Sequence, residues 1–204
     1  PHMRLKPPKF IRWLMPDLIW EMKDRSAVYL TFDDGPTPGI TEWILSTLDK
    51  YDAKATFFVL GKNAEMYPDL YRRIVEAGHR IGNHTYSHQK GWGMSLERYI
   101  EDVDFANDLL HTELFRPPYA RITPAQARAL AKRYKLVMWD VLSRDYNRAL
   151  SPRTCLRNVT RYLEGGSIVV FHDSEKSFRN MSYALPRTLQ AVRDMGLKCK
   201  AIDL

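Results

Sequence analysis

Hydrophobic positions along this chain switch repeatedly between two periods. AVYLTF (27–32) is a short apolar run rich in β-branched and aromatic residues, and ITEWILSTLDKY (40–51) then sets its apolar residues at helical spacing. ATFFVL (55–60) is a second strand run closed by Gly61, and a helix through Leu70, Ile74 and Val75 stops at Gly78. The spacing goes on to predict strand RIGNH (80–84), a helix over 95–111, strand ELFRP (113–117) and a helix over 123–134 capped by Thr123 with Pro124 in its first turn. The last third repeats the scheme with strand LVMWDV (136–141), helix 152–164, strand SIVVFH (167–172), helix 183–195 and strand KCKAI (198–202). About seven strand–helix units predict an α/β fold with a parallel sheet and helices outside it. Right-handed crossovers make a closed or nearly closed barrel the expected architecture, and periodicity leaves a doubly wound open sheet as the alternative.

Five short polar segments follow strand runs: TFDDGP (31–36), HTYSH (84–88), FRPPY (115–119), SRDY (143–146) and FHDS (171–174). Parallel α/β folds gather ligands at the carboxyl ends of their strands, so this repeated placement predicts a single site.

Composition changes the picture only modestly. A chain of 204 residues with 45% apolar content suits one globular domain, and no stretch is biased, repetitive or charged enough to suggest otherwise. The excess of 31 basic over 24 acidic residues gives +7, which favours anionic partners. The bases are scattered, so no nucleic-acid surface is expected. Cys155 and Cys199 read as idle thiols rather than a disulfide framework. Nothing in the pattern sets an oligomeric state.

Pro1, His2 and Met3 read as a remnant outside the natural chain, which removes His2 from the chemistry. The following stretch, RLKPPKFIRWLMPDLIWEM, is basic and then apolar, but Pro16 and Asp17 cut it well short of the roughly 20 residues a membrane span needs. It carries no small-residue cleavage signal. Residues 1–26 are therefore expected to wrap the domain through Trp13, Leu14, Ile19 and Trp20, with a membrane-surface anchor as the alternative. Residues 27–204 form the expected catalytic domain, and the expected location is the cytoplasm.

Asp33 and Asp34 end a strand, and GPTPG behind them forces a stiff loop able to hold one carboxylate on a metal and another free to take a proton. A capping aspartate before the next helix is the plainer reading of DDGPTPG. His84 and His88 stand four apart, the spacing at which two imidazoles share one face of a helical turn and bind one cation. A carboxylate from another strand end completes Asp, His, His, a set that leaves coordination positions open around Zn²⁺ or another divalent first-row ion. Arg116 precedes two prolines that fix its backbone, so its guanidinium is placed to pair with a site carboxylate, unless it is a surface arginine near a turn. His172 ends the most apolar strand and suits a general acid, although lone histidines are more often satisfied core residues. His79 and His111 read as structural.

TFDDGP, HTYSH, RPPY and the closing strand-end histidine, in that order over residues 27–203, resemble the polysaccharide deacetylases, carbohydrate esterases of the chitooligosaccharide deacetylase homology type. The resemblance implies a distorted (β/α)7–8 barrel and a divalent metal, usually Zn²⁺ with Co²⁺, Ni²⁺ or Mn²⁺ as alternatives, held by Asp34, His84 and His88. It implies Asp33 as the base that takes a proton from water, Arg116 as its orienting partner, the backbone N–H of Tyr119 as oxyanion donor, His172 as the acid and Asp145 as the residue that tunes it. Pro117, Tyr119, Tyr146 and Val170 would line the substrate site.

Four departures from that pattern stand out. Leu142 replaces an acid and Tyr146 a tryptophan in the fourth motif, Val170 replaces the leucine that lines the acetyl pocket, and Ala120 stands where glycine often follows the tyrosine. The expected activity is removal of N-acetyl groups from an amino-sugar glycan. Hydrolysis of a small non-carbohydrate amide is a second reading, motivated by the missing tryptophan, and a non-catalytic glycan-binding module is a third.

Overall fold

The computed structural model describes residues 15–204. Nine short strands make one sheet: β1 (Leu18–Ile19), β2 (Ala27–Asp33), β3 (Thr56–Val59), β4 (Arg80–Asn83), β5 (Leu114–Phe115), β6 (Lys135–Val137), β7 (Val141–Leu142), β8 (Ile168–His172) and β9 (Lys198–Cys199). Among the described residues seven α-helices are interspersed with them: α1 (Ile40–Asp49), α2 (Gly61–Met66), α3 (Pro68–Glu76), α4 (Leu96–Leu110), α5 (Pro124–Leu130), α6 (Pro152–Thr160) and α7 (Glu175–Asp194). The strand order is β1-β6-β5-β4-β3-β2-β8-β7, with β9 beside the start of β2 and every ladder parallel.

Side-chain alternation separates an inner core from an outer one. Along β2, Val28, Leu30 and Phe32 pack outward under the helices, while Ala27 and Tyr29 face inward. On β8, Val169 and Phe171 join the outer cluster and Ile168 the inner one. Phe58 of β3, Leu114 of β5 and Val137 of β6 complete the inner cluster with Met22 and Ile202. A sheet whose inner face is filled by its own side chains, with the helices on the outside, is a distorted barrel rather than a doubly wound layer.

The ladder does not run directly from β1 to β7. Two chain segments cross that seam instead. Residues 18–22 pair first with β6 and then, through the Glu21 to Ser167 bridge and the Met22 N–H to Gly166 O bond, with the start of β8. Residues 138–140 likewise leave β6, with Met138 N–H donating to Ile19 O, and arrive at β8, with Asp140 N–H donating to Ile168 O. The single strand expected over 136–141 is therefore two, β6 and β7, on opposite sides of the seam. Both halves are buried, so the run shows no alternation of apolar and polar positions, and periodicity cannot register the break.

Three further expectations change. Helix α7 begins at Glu175, eight residues before the expected start at 183, because the polar residues of its first turns conceal a face that buries Ser177, Asn180 and Met181. The strand expected over 198–202 stops pairing as β9 at Cys199, and Ile202 N–H donates to the Thr56 hydroxyl. Segment 84–88 is a loop and not a helical turn: Thr85 and His88 have φ of 68° and 62°, which no α-helix accommodates. At the amino terminus Leu18 is buried, and Ile19 and Trp20 pack on the inner and outer cores, whereas Trp13 and Leu14 lie outside the described residues.

His79 sits in the turn before β4, accepts Ala55 N–H on Nδ1 at 3.2 Å and packs on Phe57. Burial, aided by Lys54, holds its imidazole down to about 4 from an ordinary 6.5. Between those values the unfolded chain binds a proton that the folded chain refuses, so stability falls as pH drops from about 6.5 toward about 4. The His79 contribution to this loss is about 2–3 kcal/mol. Urea unfolding midpoints across that range should show a shallower decline for His79→Gln, which keeps an acceptor but cannot ionise.

Candidate active site

Inward-facing parity delivers the site residues. Asp33, two residues past Thr31 and four past Tyr29, points into the barrel mouth, as does His172, four past Ile168, and the two are register partners across β2 and β8. His84 and Arg116 follow β4 and β5, whose ends are level because Asn83 pairs with Phe115. Asp34 would face outward on an extended strand. Its φ of 79° turns it inward, and the next residue has to be glycine, since a Cβ on Gly35 would lie 2.2 Å from Asp173 Oδ2.

Asp34, His84 and His88 converge. Asp34 Oδ1 lies 3.6 Å from His84 Nε2 and 3.1 Å from His88 Nε2, and it is buried without making a hydrogen bond. His84 Nδ1 sits 2.8 Å from the Arg116 carbonyl, which only accepts, so Nδ1 carries the proton and Nε2 presents a lone pair. Burial also lowers the pKa of His84, which favours the neutral ring. His88 Nδ1 meets the Tyr119 hydroxyl at 3.2 Å, leaving its Nε2 likewise facing Asp34. Burial works against the Asp34 charge, but the neighbouring His88 and the charged His172 outweigh it and keep this carboxyl well below the usual range. Three ligand-type atoms within 4.8 Å of one another, His84 buried and Asp34 and His88 half-buried, suit a divalent cation, and Asp, His, His is a donor set for zinc and its first-row neighbours. A second carboxylate group, Glu21, Asp140 and Glu164, lacks imidazoles, and Asp140 already accepts Ser167 Oγ and Ile168 N–H.

Arg116 is fully buried beneath this cluster. Nη1 donates to Asp33 Oδ1 at 2.7 Å and to Thr31 Oγ1 at 2.6 Å, Nε to Val137 O at 3.0 Å and Nη2 to Met138 O at 2.8 Å. Its guanidinium carbon lies 4.0 Å from the centre of the Phe58 ring. The other Asp33 oxygen, Oδ2, faces the ligand cluster 3.9 Å from His84 Nε2.

Across the mouth, Asp145 grips His172 twice, Oδ1 taking Nδ1–H and Oδ2 taking the backbone N–H, each at 2.7 Å. Burial disfavours the imidazolium, but the charge and hydrogen bond of Asp145, with Asp34 and Asp33 beyond, more than offset it and push His172 up to about 9. Nε2–H is then left to point into the mouth. Tyr146 packs edge-on against His172 with centroids 5.1 Å apart.

Pro117 is buried and extended, and Tyr119, with φ 59°, stands 61% exposed beside His88. Val170 is buried with inward parity between Ile168 and His172, and Leu142 is half-buried on β7. Ala120 has φ 56°, the left-handed region that glycine enters without strain, so the alanine carries a conformational cost where the family pattern often has glycine.

Several positioning residues were invisible in the sequence. Asp102 on α4 accepts Tyr86 N–H, Ser87 N–H and Ser87 Oγ–H, which shapes the loop carrying His88. Asn63 donates to Asp34 O, and Asn180 of α7 donates to the carbonyls of Asp145 and Asn147. Only Asn83 had a local signal, next to HTYSH; its amide links Thr85 N–H to Val103 O. Asp173 accepts Thr41 Oγ–H, and burial leads the effects that raise its carboxyl to about 7.

The family model for Polysaccharide deacetylase matches residues 21–139. The chain is 36% identical over 158 residues to a peptidoglycan-N-acetylglucosamine deacetylase of Bacillus cereus, covering 74% of this chain and 57% of that protein. It is 30% identical over 186 residues to the peptidoglycan-N-acetylmuramic acid deacetylase PdaC of Bacillus subtilis, covering 88% of this chain and 38% of that protein. The chain thus spans well under two thirds of the length of either relative. The solved structure of the Bc1960 peptidoglycan N-acetylglucosamine deacetylase superposes with a TM-score of 0.87 at 29% identity, covering 94% of both chains. Among the described residues no helix is long and apolar enough to cross a membrane.

Asp102→Ala removes the acceptor that folds the His88 loop while leaving all three candidate ligands in place. Zn²⁺ affinity measured by competition with a chromophoric chelator should fall about 10- to 100-fold, with circular dichroism unchanged.

Proposed function

The chain belongs to the polysaccharide deacetylase family, and from that footing we propose that it hydrolyses N-acetyl amides on an amino-sugar-containing glycan. The observation that carries this reading is the pairing of Asp33, held by Arg116, with His172, held by Asp145, on adjacent strand ends beside the converged Asp34, His84 and His88. Amide hydrolysis needs an activated water, charge to meet the developing oxyanion, and a proton for a poor leaving amine. The named glycan deacetylases among its relatives support a carbohydrate amide as the substrate.

A divalent ion held by Asp34, His84 and His88, Zn²⁺ or a neighbour such as Co²⁺, Ni²⁺ or Mn²⁺, would supply Lewis-acid charge for the carbonyl and acidify the attacking water. Asp33 then acts through Oδ2, because Oδ1 is occupied by Arg116, and takes one proton as water adds to the acetyl carbon. The backbone N–H of Tyr119 meets the oxyanion. His172, charged at neutral pH and oriented through Nδ1 by Asp145, gives its Nε2 proton to the amine as the C–N bond breaks. Acetate and the free amino sugar leave, and proton return from Asp33 to His172 by way of solvent resets the pair. Pro117, Tyr146 and Val170 wall the pocket, with Val170 on the inner face where an acetyl methyl would be shielded from water.

Asp33→Asn keeps the shape of the side chain and its contact with Arg116 but loses the base. Acetate release from acetylated oligosaccharides should drop at least about 100-fold with bound zinc unchanged, and retention of full turnover would overturn the assignment. Asp145→Asn withdraws the carboxylate that raises His172, so the imidazole loses its proton at lower pH. The alkaline limb of the kcat–pH profile should move down from near 9 in the variant.

A further inference from the structure

Beside the ligand cluster, His88, Gln89, Lys90, Tyr119 and Arg121 line a cavity of about 480 Å³ that the chemistry above does not use. Because His88 and Tyr119 belong to both, whatever occupies the cavity adjoins the acetamido group at the reaction centre. One aromatic ring of the lining is exposed, Tyr119 at 61%, and Trp92, 56% exposed, lies outside the lining beside Arg121. Exposed aromatic faces of this kind stack against the C–H faces of sugar rings. Lys90 and Arg121 are both exposed, and among the described residues neither meets a carboxylate; the Arg121 guanidinium lies 5.5 Å from the Trp92 ring centre.

The surface is also locked in place. Gly91 N–H donates to Arg121 O at 2.7 Å, Trp92 Nε1–H to Ile122 O at 3.2 Å, and the buried Gln126 amide donates to Gly91 O at 2.9 Å. Gln126 Oε1 in turn accepts Thr123 N–H, and a Cβ at residue 91 would lie 2.3 Å from that oxygen. A fully satisfied buried amide thus clamps the loop after β4 to the loop after β5. Clamping fixes the backbone segments that carry Lys90 and Arg121 relative to one another before any ligand arrives, which lowers the ordering cost of binding.

We propose that this cavity is a subsite for a sugar bearing a carboxylate, next to the acetylated amino sugar, and that it gives the enzyme a preference for acidic over neutral acetylated glycans. The proposal rests on the deacetylase reading for what fills the neighbouring site. Lys90 and Arg121 meet the carboxylate while Tyr119 carries the ring.

The test is calorimetric titration of the zinc-loaded chain, with acetate release followed in parallel. The ligands are a neutral acetylated glucosamine oligosaccharide, a glycan of equal length whose alternate sugars carry a lactyl ether carboxylate, its methyl amide, and a version with the carboxylate moved to an attached peptide. The sugar carboxylate should tighten binding roughly tenfold over the methyl amide, and the preference should shrink as salt rises from about 0.05 M to about 0.5 M. In the Lys90→Gln, Arg121→Gln double variant the ratio should approach one. Equal affinity for acid and amide, a preference that survives in the double variant, or tightening only by the peptide-borne carboxylate would each overturn the proposal. Absence of acetate release from every glycan would overturn the deacetylase reading instead, and the affinity ratio would still decide the subsite.

Discussion

The mouth of the barrel is organised around one guanidinium withdrawn from water. Arg116 is 0% exposed, and burial weighs against its charge, with the Asp33 carboxylate and its hydrogen bond opposing. Such a group is tolerable only when its donors find acceptors, and four are supplied from β2, β6 and the segment that leaves β6. Removing one partner of a buried pair of this kind costs about 3–5 kcal/mol. A lysine has neither the planar fork nor the number of directed donors to replace it. The same residue works through its backbone as well: its N–H donates to Asn83 O and its carbonyl accepts the hydrogen bond of His84 Nδ1–H. One position therefore sets the orientation of the candidate base and the tautomer of a candidate ligand.

Strain collects around the same mouth. Among the described residues, six of the eight non-glycine residues with positive φ, namely Asp34, Thr85, His88, Tyr119, Ala120 and Arg144, lie in the loops that follow β2, β4, β5 and β7. Such conformations persist only where surrounding contacts over-determine them. Here the contacts are identifiable, since Asp102 and Asn83 hold the loop after β4, Asn63 holds Asp34, and Asn180 holds the segment of Asp145. All four are neutral amides or carboxylates reaching backbone groups, so they set geometry and leave the reacting charges to other residues.

The two halves of the chemistry are electrostatically distinct although their strands are neighbours. Asp33 is matched by a cation that never leaves, whereas His172 is matched by Asp145, which keeps it charged up to about pH 9. A carboxylate paired with a guanidinium and an imidazole paired with a carboxylate thus stand side by side on neighbouring strand ends, the environment of each favouring its own charged form.

The strand-end segments and the alternation of periods were legible from the sequence because they rest on local spacing and residue type, and the residues that the family resemblance singled out, Asp33, Asp34, His84, His88, Arg116 and His172, do lie together at one mouth. The same local character explains what was misread. A buried strand run shows no break where it crosses the barrel seam, polar first turns hide the start of α7, and a four-residue interval between histidines fits a helix as well as the left-handed loop found here. Asp102, Asn63 and Asn180 act across 15, 29 and 35 positions of sequence, and the clamp between Gly91 and Gln126 across 35. Sequence alone thus determined which side chains stand at the strand ends. The tertiary structure decided which atom of each group faces the site, since tautomer, inward parity and loop handedness depend on partners that only folding brings within hydrogen-bond distance.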